Sequence, residues 1–326
     1  MLDYDLYWDI LRCDSTSGSE RALAEMLQTR LQCDDNTITA MEVGDGTLNL
    51  LVEWGTARTL FCTHMDTVPP YIAPRREGDV FHGRGTCDAK GQIAAMWTAC
   101  CALADLGRTD FGLLLLSGEE TGSWGAKAFR TCGREFDRII VGEPTDNRLV
   151  AASKGTKSFA LTFIGQACHS GYPRQGDSAV MNMHHFLSEL EDFALPYDEQ
   201  LGATTWNVGQ LRSDNAQNVL SPECSLLLYF RTTMVSDGEV AEVVNQLAEK
   251  YHAVVVERGG DTPMEYTVLP GFETTVVAFG SDAPQLTNCR ERLLYGAGSI
   301  LCAHKENEHV SCAELEKAAD DYMKML

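Results

Sequence analysis

Five short stretches, far apart in the chain, carry side chains that bind hard or borderline metal ions. They are Thr63-His64-Met65-Asp66, Thr86-Cys87-Asp88-Ala89-Lys90-Gly91, Ser117-Gly118-Glu119-Glu120, Val141-Gly142-Glu143-Pro144 and Ala303-His304. Their positions place them at strand ends. Two imidazoles and several carboxylates form a set that suits a pair of Zn²⁺ ions sharing one bridging carboxylate. One stretch alone would carry little weight. All five in this order point to a dinuclear metallohydrolase.

The elements needed to bring such residues together are legible in the hydrophobic pattern. Leu48–Val52, Leu60–Cys62, Leu113–Leu116 and Ile139–Val141 read as strands, the last two covered on both faces. Ser17-Gly18-Ser19-Glu20 has capping-box spacing ahead of Leu23, Met26, Leu27 and Leu31, and Ile93, Met96, Trp97, Cys100 and Leu103 mark a second helix. Alternation of this kind implies an α/β fold, a central sheet flanked by helices. Ligands of such sheets bind beyond the carboxyl ends of the strands.

From about Lys154 the pattern changes. Strands at Phe159–Ile164, Thr204–Leu211, Cys224–Arg231 and Ala253–Val256 interleave with helices at Ala179–Leu190 and Val240–Tyr251, the latter opened by a second capping-box spacing, Ser236-Asp237-Gly238-Glu239. The order β-α-β-β-α-β is the ferredoxin-like plan. It predicts an inserted α+β domain over 154–257 and a metal-binding domain made of 1–153 and 258–326, which closes with a helix from Ser311-Cys312-Ala313-Glu314.

Composition sets further bounds. With 326 residues, 44% of them hydrophobic, the chain can bury a large core. A formal charge of −21 argues against nucleic acid or an anionic membrane surface as partner. The acidic start Met1-Leu2-Asp3-Tyr4-Asp5 does not read as a secretory signal, and no apolar run approaches the ~20 residues that span a bilayer. The twelve cysteines include no C-x-x-C pair, which favours reduced thiols and a cytoplasmic setting. Cys87 and Cys168 flank site residues and are not assigned as ligands.

These motifs resemble the co-catalytic zinc family that includes acetylornithine deacetylase, succinyl-diaminopimelate desuccinylase, aminoacylase and carboxypeptidase G. The resemblance rests on the H-x-D at His64, Gly83-Arg84-Gly85-Thr86-Cys87-Asp88-Ala89-Lys90-Gly91, the double Glu, the Gly-Glu-Pro, Gly165-Gln166-Ala167-Cys168-His169-Ser170-Gly171-Tyr172-Pro173 and the final Ala303-His304 with Glu308. It implies a zinc-exopeptidase-like catalytic domain, a central mixed sheet flanked by helices, with an inserted lid or dimerisation domain. Two Zn²⁺ per chain are expected, with Co²⁺ as a possible substitute, and the chain is expected to be a homodimer.

Residue by residue, His64 and Glu143 resemble ligands of one ion, Glu120 and His304 ligands of the other, and Asp88 the bridge. Asp66 resembles the acid that orients His64, and Glu119 the general base. His169 resembles a residue that crosses the dimer to stabilise the oxyanion. Arg231 and Asn218 fall where the family binds substrate, Arg231 as a fork for a carboxylate, and Ser281 lies in a turn that resembles the family's substrate-lining segment. His304 keeps the spacing to Glu308; His309 is the alternative last ligand. Ala89 stands where the family often has Met or Leu.

The compact chain, and the segment Tyr295-Gly296-Ala297-Gly298-Ser299-Ile300, resemble a branch acting on N-acetylornithine or N-acetylcitrulline in arginine biosynthesis. A succinyl-diaminopimelate desuccinylase and a di- or tripeptidase are the alternatives within the class. A non-catalytic relative that binds a metal or a modified amino acid is the alternative outside it.

Overall fold

The computed structural model describes residues 2–44 and 46–326. The chain divides into two compact units, one of 1–151, 266–275 and 281–326, the other of 152–265 and 276–280.

In the first unit a six-stranded mixed sheet runs in the order Thr37–Gly44, Thr47–Gly55, Asp110–Leu116, Thr59–His64, Phe136–Val141, Cys289–Leu294. The last four are mutually parallel and the first two attach antiparallel. Leu113–Leu116 and Ile139–Val141 are fully buried, as continuous apolar runs in a covered sheet require. The helix Lys90–Asp105 packs on Thr59–His64, on Asp110–Leu116 and on the closing helix Cys312–Lys324. Parallel alignment delivers four strand ends to one edge, and the residues just past them are Met65, Ser117, Gly142 and Tyr295. Three of the five motif stretches therefore meet at one edge by topology alone.

The second unit holds an antiparallel sheet in the order Thr205–Arg212, Glu223–Thr232, Gly155–Ile164, Ala253–Gly259, with helices Ala179–Asp192 and Asp237–Lys250. Numbered along the chain this is 2-3-1-4, the ferredoxin-like arrangement. Phe159, Phe163, Phe186, Leu228 and Phe230 form its core with Val240, Val244 and Leu247. No helix among the described residues is long and apolar enough to cross a membrane.

Both spacings read as capping boxes behave otherwise. The second helix starts at Arg21 with Glu20 as an uncapped N-cap residue. Ser17 instead donates to Asp66 Oδ2 at 2.8 Å, and Glu20 Oε1 accepts from the Gly118 amide at 3.0 Å. At the other site Ser236 makes no cap bond, because its hydroxyl accepts from the Thr233 amide. The true capping box closes the fold: the Ser311 hydroxyl accepts from the Glu314 amide while Glu314 accepts from the Ser311 amide. Ser311→Ala should lower stability by about 1 kcal/mol, read as a shift of the urea midpoint with an unchanged slope.

Candidate metal centre

His64 ends its strand 1% exposed, and Asp66 follows fully buried. Asp88 lies in the tight turn before the helix at Lys90, where the Asp88–Ala89 peptide is cis. Gly118 turns the chain at the next strand end with φ +73°, a conformation natural to glycine, and a Cβ there would stand 3.2 Å from the Trp124 ring. Glu119 and Glu120 follow it, and Glu143 follows Gly142. His304 sits in a turn with φ +63°, an uncommon backbone for a residue with a side chain. Such outliers persist where surrounding structure over-determines them.

These side chains converge. His64 Nε2 is 3.1 Å from Asp88 Oδ1 and 3.9 Å from Glu143 Oε1. His304 Nε2 is 3.0 Å from both Asp88 Oδ2 and Glu120 Oε1. Donor atoms of His64, Asp88 and Glu143 lie within 4.8 Å of one another, as do those of Asp88, Glu120 and His304. Asp88 belongs to both groups and turns one oxygen toward each imidazole. A third group, His64 with Glu119 and Glu120, meets the same distance.

The electrostatics test whether cations fit. Four carboxylates crowd around two imidazoles at a largely buried edge. Burial pushes Glu119 and Glu143 well above the usual carboxylate range, and the charges of Asp88 and Asp282 add to this against the opposing pull of His64. For Asp88, burial is outweighed by hydrogen bonds from His304 and His64, which hold its carboxyl below the usual range. Bonds to Asp88 and Glu120 raise His304 to about 10. Burial opposes the charge of His64, but its contacts with Asp66 and Asp88 raise it well above the ordinary imidazole value. Without a cation, protons must supply the positive charge this cluster needs. An N/O donor set with a shared carboxylate suits zinc, so the residues present fit a pair of divalent ions.

The surrounding bonds hold the donors in place. His64 Nδ1 meets the Asp66 carbonyl at 2.9 Å. A carbonyl only accepts, so the neutral ring carries its proton on Nδ1 and turns the Nε2 lone pair toward Asp88. The Asp66 carboxylate accepts from the amides of Glu119 (3.0 Å) and Glu120 (3.2 Å) and from Ser17. These bonds and His64 hold it below its usual range despite burial. On the other side, fully buried Glu308 accepts from Arg84 Nη1 at 2.7 Å and from the Cys87 and Asp88 amides. Arg84, Ser17 and Glu20 had no site role in the sequence. Glu308 entered only as a spacing marker. The G-R-G was the available signal for Arg84, whereas the Ser-x-x-Glu spacing drew Ser17 and Glu20 toward a helix cap.

The remaining candidates belong to none of the three donor groups. His309 starts the strand His309–Ser311, pairs with His82 and bonds the Asn307 carbonyl at 2.8 Å; it joins none of the three donor groups. Of the two histidines, His304 is the one brought to Asp88 and Glu120. Ser281 is buried in the first unit and accepts from the Ala283 amide at 3.3 Å; it too is outside the donor groups. Within the second unit, exposed His169 and Asn218 are neighbours through the bridge of His169 to Val219 and the bond from the Ser170 amide to the Asn218 carbonyl. Arg231 stands half-buried on Glu223–Thr232, its guanidinium 5.1 Å from the Tyr229 ring centre.

Two outcomes follow from this geometry. Because His64 and His304 hold protons at neutral pH in the metal-free protein, zinc uptake must expel them, so apparent affinity should rise with pH. Calorimetry in buffers of different ionisation enthalpy should find at least one proton released per chain; none released would contradict the shifts. Arg84→Met strands the Glu308 charge in the core and should cost about 3–5 kcal/mol, with zinc content falling in parallel.

The sequence matches the family model of peptidase family M20/M25/M40 over residues 60–326. A peptidase M20 domain-containing protein of Schizosaccharomyces pombe is 30% identical, the match covering 98% of this chain and 83% of that protein. A probable carboxypeptidase of Emericella nidulans is 31% identical over 98% of this chain and 88% of its own length. Among solved structures, a Staphylococcus aureus tripeptidase superposes with a TM-score of 0.84 at 18% identity, covering 99% of this chain and 96% of that one. A metallo-carboxypeptidase of Sulfolobus solfataricus gives 0.76 at 18% identity, covering 98% and 97%. At such identities the structural likeness shows the fold. The family model and the relatives show more: this chain belongs to peptidase family M20/M25/M40 and is a metal-dependent hydrolase of amide bonds.

Proposed function

We propose that the protein removes the acyl group from an N-acyl α-amino acid, with N-acetylornithine or N-acetylcitrulline as the preferred substrate type and a succinylated amino acid as the variant. The observation that carries this reading is the position of Glu119. It lies near His64 and Glu120, yet belongs to neither of the two donor groups that share Asp88. It is the carboxylate left over to act as a base.

Two zinc ions, one held by His64, Asp88 and Glu143 and one by Asp88, Glu120 and His304, would polarise the amide carbonyl and acidify water. The chain's own residues supply the remaining steps. Glu119 takes a proton from the attacking water and returns one to the leaving amine. Asp66 fixes the Glu119 amide and the His64 ring, so neither has to reorganise as charge develops. In this reading His169 donates to the oxyanion, Arg231 with Asn218 holds the substrate carboxylate, and Ser281 lines the pocket. Cobalt can replace zinc, the inserted unit dimerises the chain, and the enzyme works in the cytoplasm.

A second reading is favoured by the relatives, several of which are named probable carboxypeptidases. Release of a C-terminal residue is the same reaction with a longer acyl portion: the leaving group is still an amino acid with a free carboxylate. Chromatography of products from N-acetylornithine, N-acetylcitrulline, N-succinyl-diaminopimelate and short N-blocked peptides decides between them. Preference for the peptides would establish the carboxypeptidase. A zinc-loaded protein that cleaves none would return the non-catalytic relative.

Glu119→Gln should lower kcat by about 10²–10⁴-fold, the range for loss of a general base, while metal analysis still finds two zinc ions per chain. Unchanged turnover would remove Glu119 from this role.

A further inference from the structure

The loop that carries Glu119 is held by an unusual set of partners. After the strand Asp110–Leu116, the amides of Gly118, Glu119 and Glu120 each bond a carboxylate: Glu20 Oε1 at 3.0 Å, Asp66 Oδ1 at 3.0 Å and Asp66 Oδ2 at 3.2 Å. Ser17 completes the set by donating to Asp66 Oδ2 at 2.8 Å. On one side the loop borders not packed core but a cleft of about 430 Å³, lined by Ser17, Glu20, Gly118, Thr121 and Trp124 among others. On that side the Trp124 ring is the packing contact, against Gly118. Hydrogen bonds hold the rest: beside these amide bonds, the Trp124 amide donates to the Gly118 carbonyl and the Gly122 and Ser123 amides to that of Glu119.

Two of the four anchoring bonds come from the segment before the helix at Arg21. That segment is itself tied to the sheet edge: Ser17 N donates to the Thr67 carbonyl and Ser15 Oγ to the Met65 carbonyl. Glu20 is fully buried and Ser17 partly so, so solvent competes little for either bond. The residues flanking His64 and those flanking Glu119 are thus joined through Ser17–Asp66, while Glu20 clamps the loop at its root.

We infer that Ser17 and Glu20 are positioning residues for the catalytic base, setting where the Glu119 carboxylate stands through Asp66 and through the Gly118 amide. Neither touches a donor group of the metal centre or the reacting atoms. Their substitution acts on the step in which Glu119 moves a proton and leaves metal binding in place. The inference rests on the proposed role of Glu119.

The experiment uses the full-length, zinc-loaded protein with Ser17→Ala, Glu20→Ala and the conservative Glu20→Gln, which keeps an acceptor for the Gly118 amide. Hydrogen exchange of the 117–122 segment should speed up in Ser17→Ala and Glu20→Ala, with the strands Thr59–His64 and Phe136–Val141 as protected as before. The kcat should drop about tenfold or more, as displacement of a reacting group by an ångström does, with KM within about twofold and zinc content unchanged. Glu20→Gln should recover most of both losses. Unchanged exchange at 117–122 in both alanine variants overturns the inference. So does a drop in kcat accompanied by lost protection throughout the sheet, since that marks a general structural role. The exchange measurement needs no substrate, so it decides the matter even if Glu119→Gln shows that the proposed reaction is wrong.

Discussion

Asp88 faces two imidazoles at once, Oδ1 3.1 Å from His64 and Oδ2 3.0 Å from His304, while remaining only 5% exposed. Keeping a carboxylate in that place governs much of the surrounding structure. Its amide and that of Cys87 are taken by Glu308, and Glu308 in turn requires Arg84 as a buried counter-charge. Burial drives Glu308 up to about 7, with the Asp88 charge adding to it and Arg84 opposing. One buried charge thus calls for the next. An arrangement of this kind is poor material for stability, because a buried ion pair returns little beyond its desolvation cost. Its value lies in geometry. Arg84 and Glu308 connect the turn before Lys90 to the turn after His304, and so fix the separation of two elements that lie far apart in the chain.

The same logic explains the backbone at His304. A histidine at φ +63° costs energy that a turn glycine would not. The conformation presents Nε2 to Asp88 and Glu120 together, two contacts at 3.0 Å. His309, five residues on, has an ordinary place in a strand and joins no carboxylate pair among the described residues. Identical side chains in one short segment are separated by where the backbone aims them.

Much of this was legible in the sequence, for physical reasons that differ by element. Three of the four parallel strands announced themselves through short apolar runs, and Leu113–Leu116 could hardly be surface; Cys289–Leu294, with Arg290, Glu291 and Arg292 in its middle, did not. Once these three strands align, the residues after them must share an edge, so His64, Glu119, Glu120 and Glu143 could be placed without any contact information. The second unit was legible in outline because its core positions repeat every second residue in Phe159, Leu161 and Phe163 and at helical spacing in Val240, Val244 and Leu247. The strand Thr37–Gly44 was not, since as an edge strand with alternately exposed and half-buried residues it carries little apolar signal. Ser17 and Glu20 were seen and misassigned. Local spacing favours a helix cap, but the sheet edge offers Asp66 and the Gly118 amide as stronger, buried partners, and tertiary bonds prevailed. Arg84 and Glu308, 224 residues apart, have no local signature by which a sequence could pair them.

The excess of acid also constrains recognition. In the proposed reaction the α-amino acid leaving group carries a carboxylate, and it would approach an edge where Asp88, Glu119, Glu120 and Glu143 already crowd, on a chain with a formal charge of −21. In the metal-free site protons on His64 and His304, with the raised carboxyls of Glu119 and Glu143, offset that charge. Two divalent ions would bring four positive charges against those four carboxylates and take the place of the protons. Metal loading is then coupled to proton release, independently of any Lewis-acid role in the reaction itself.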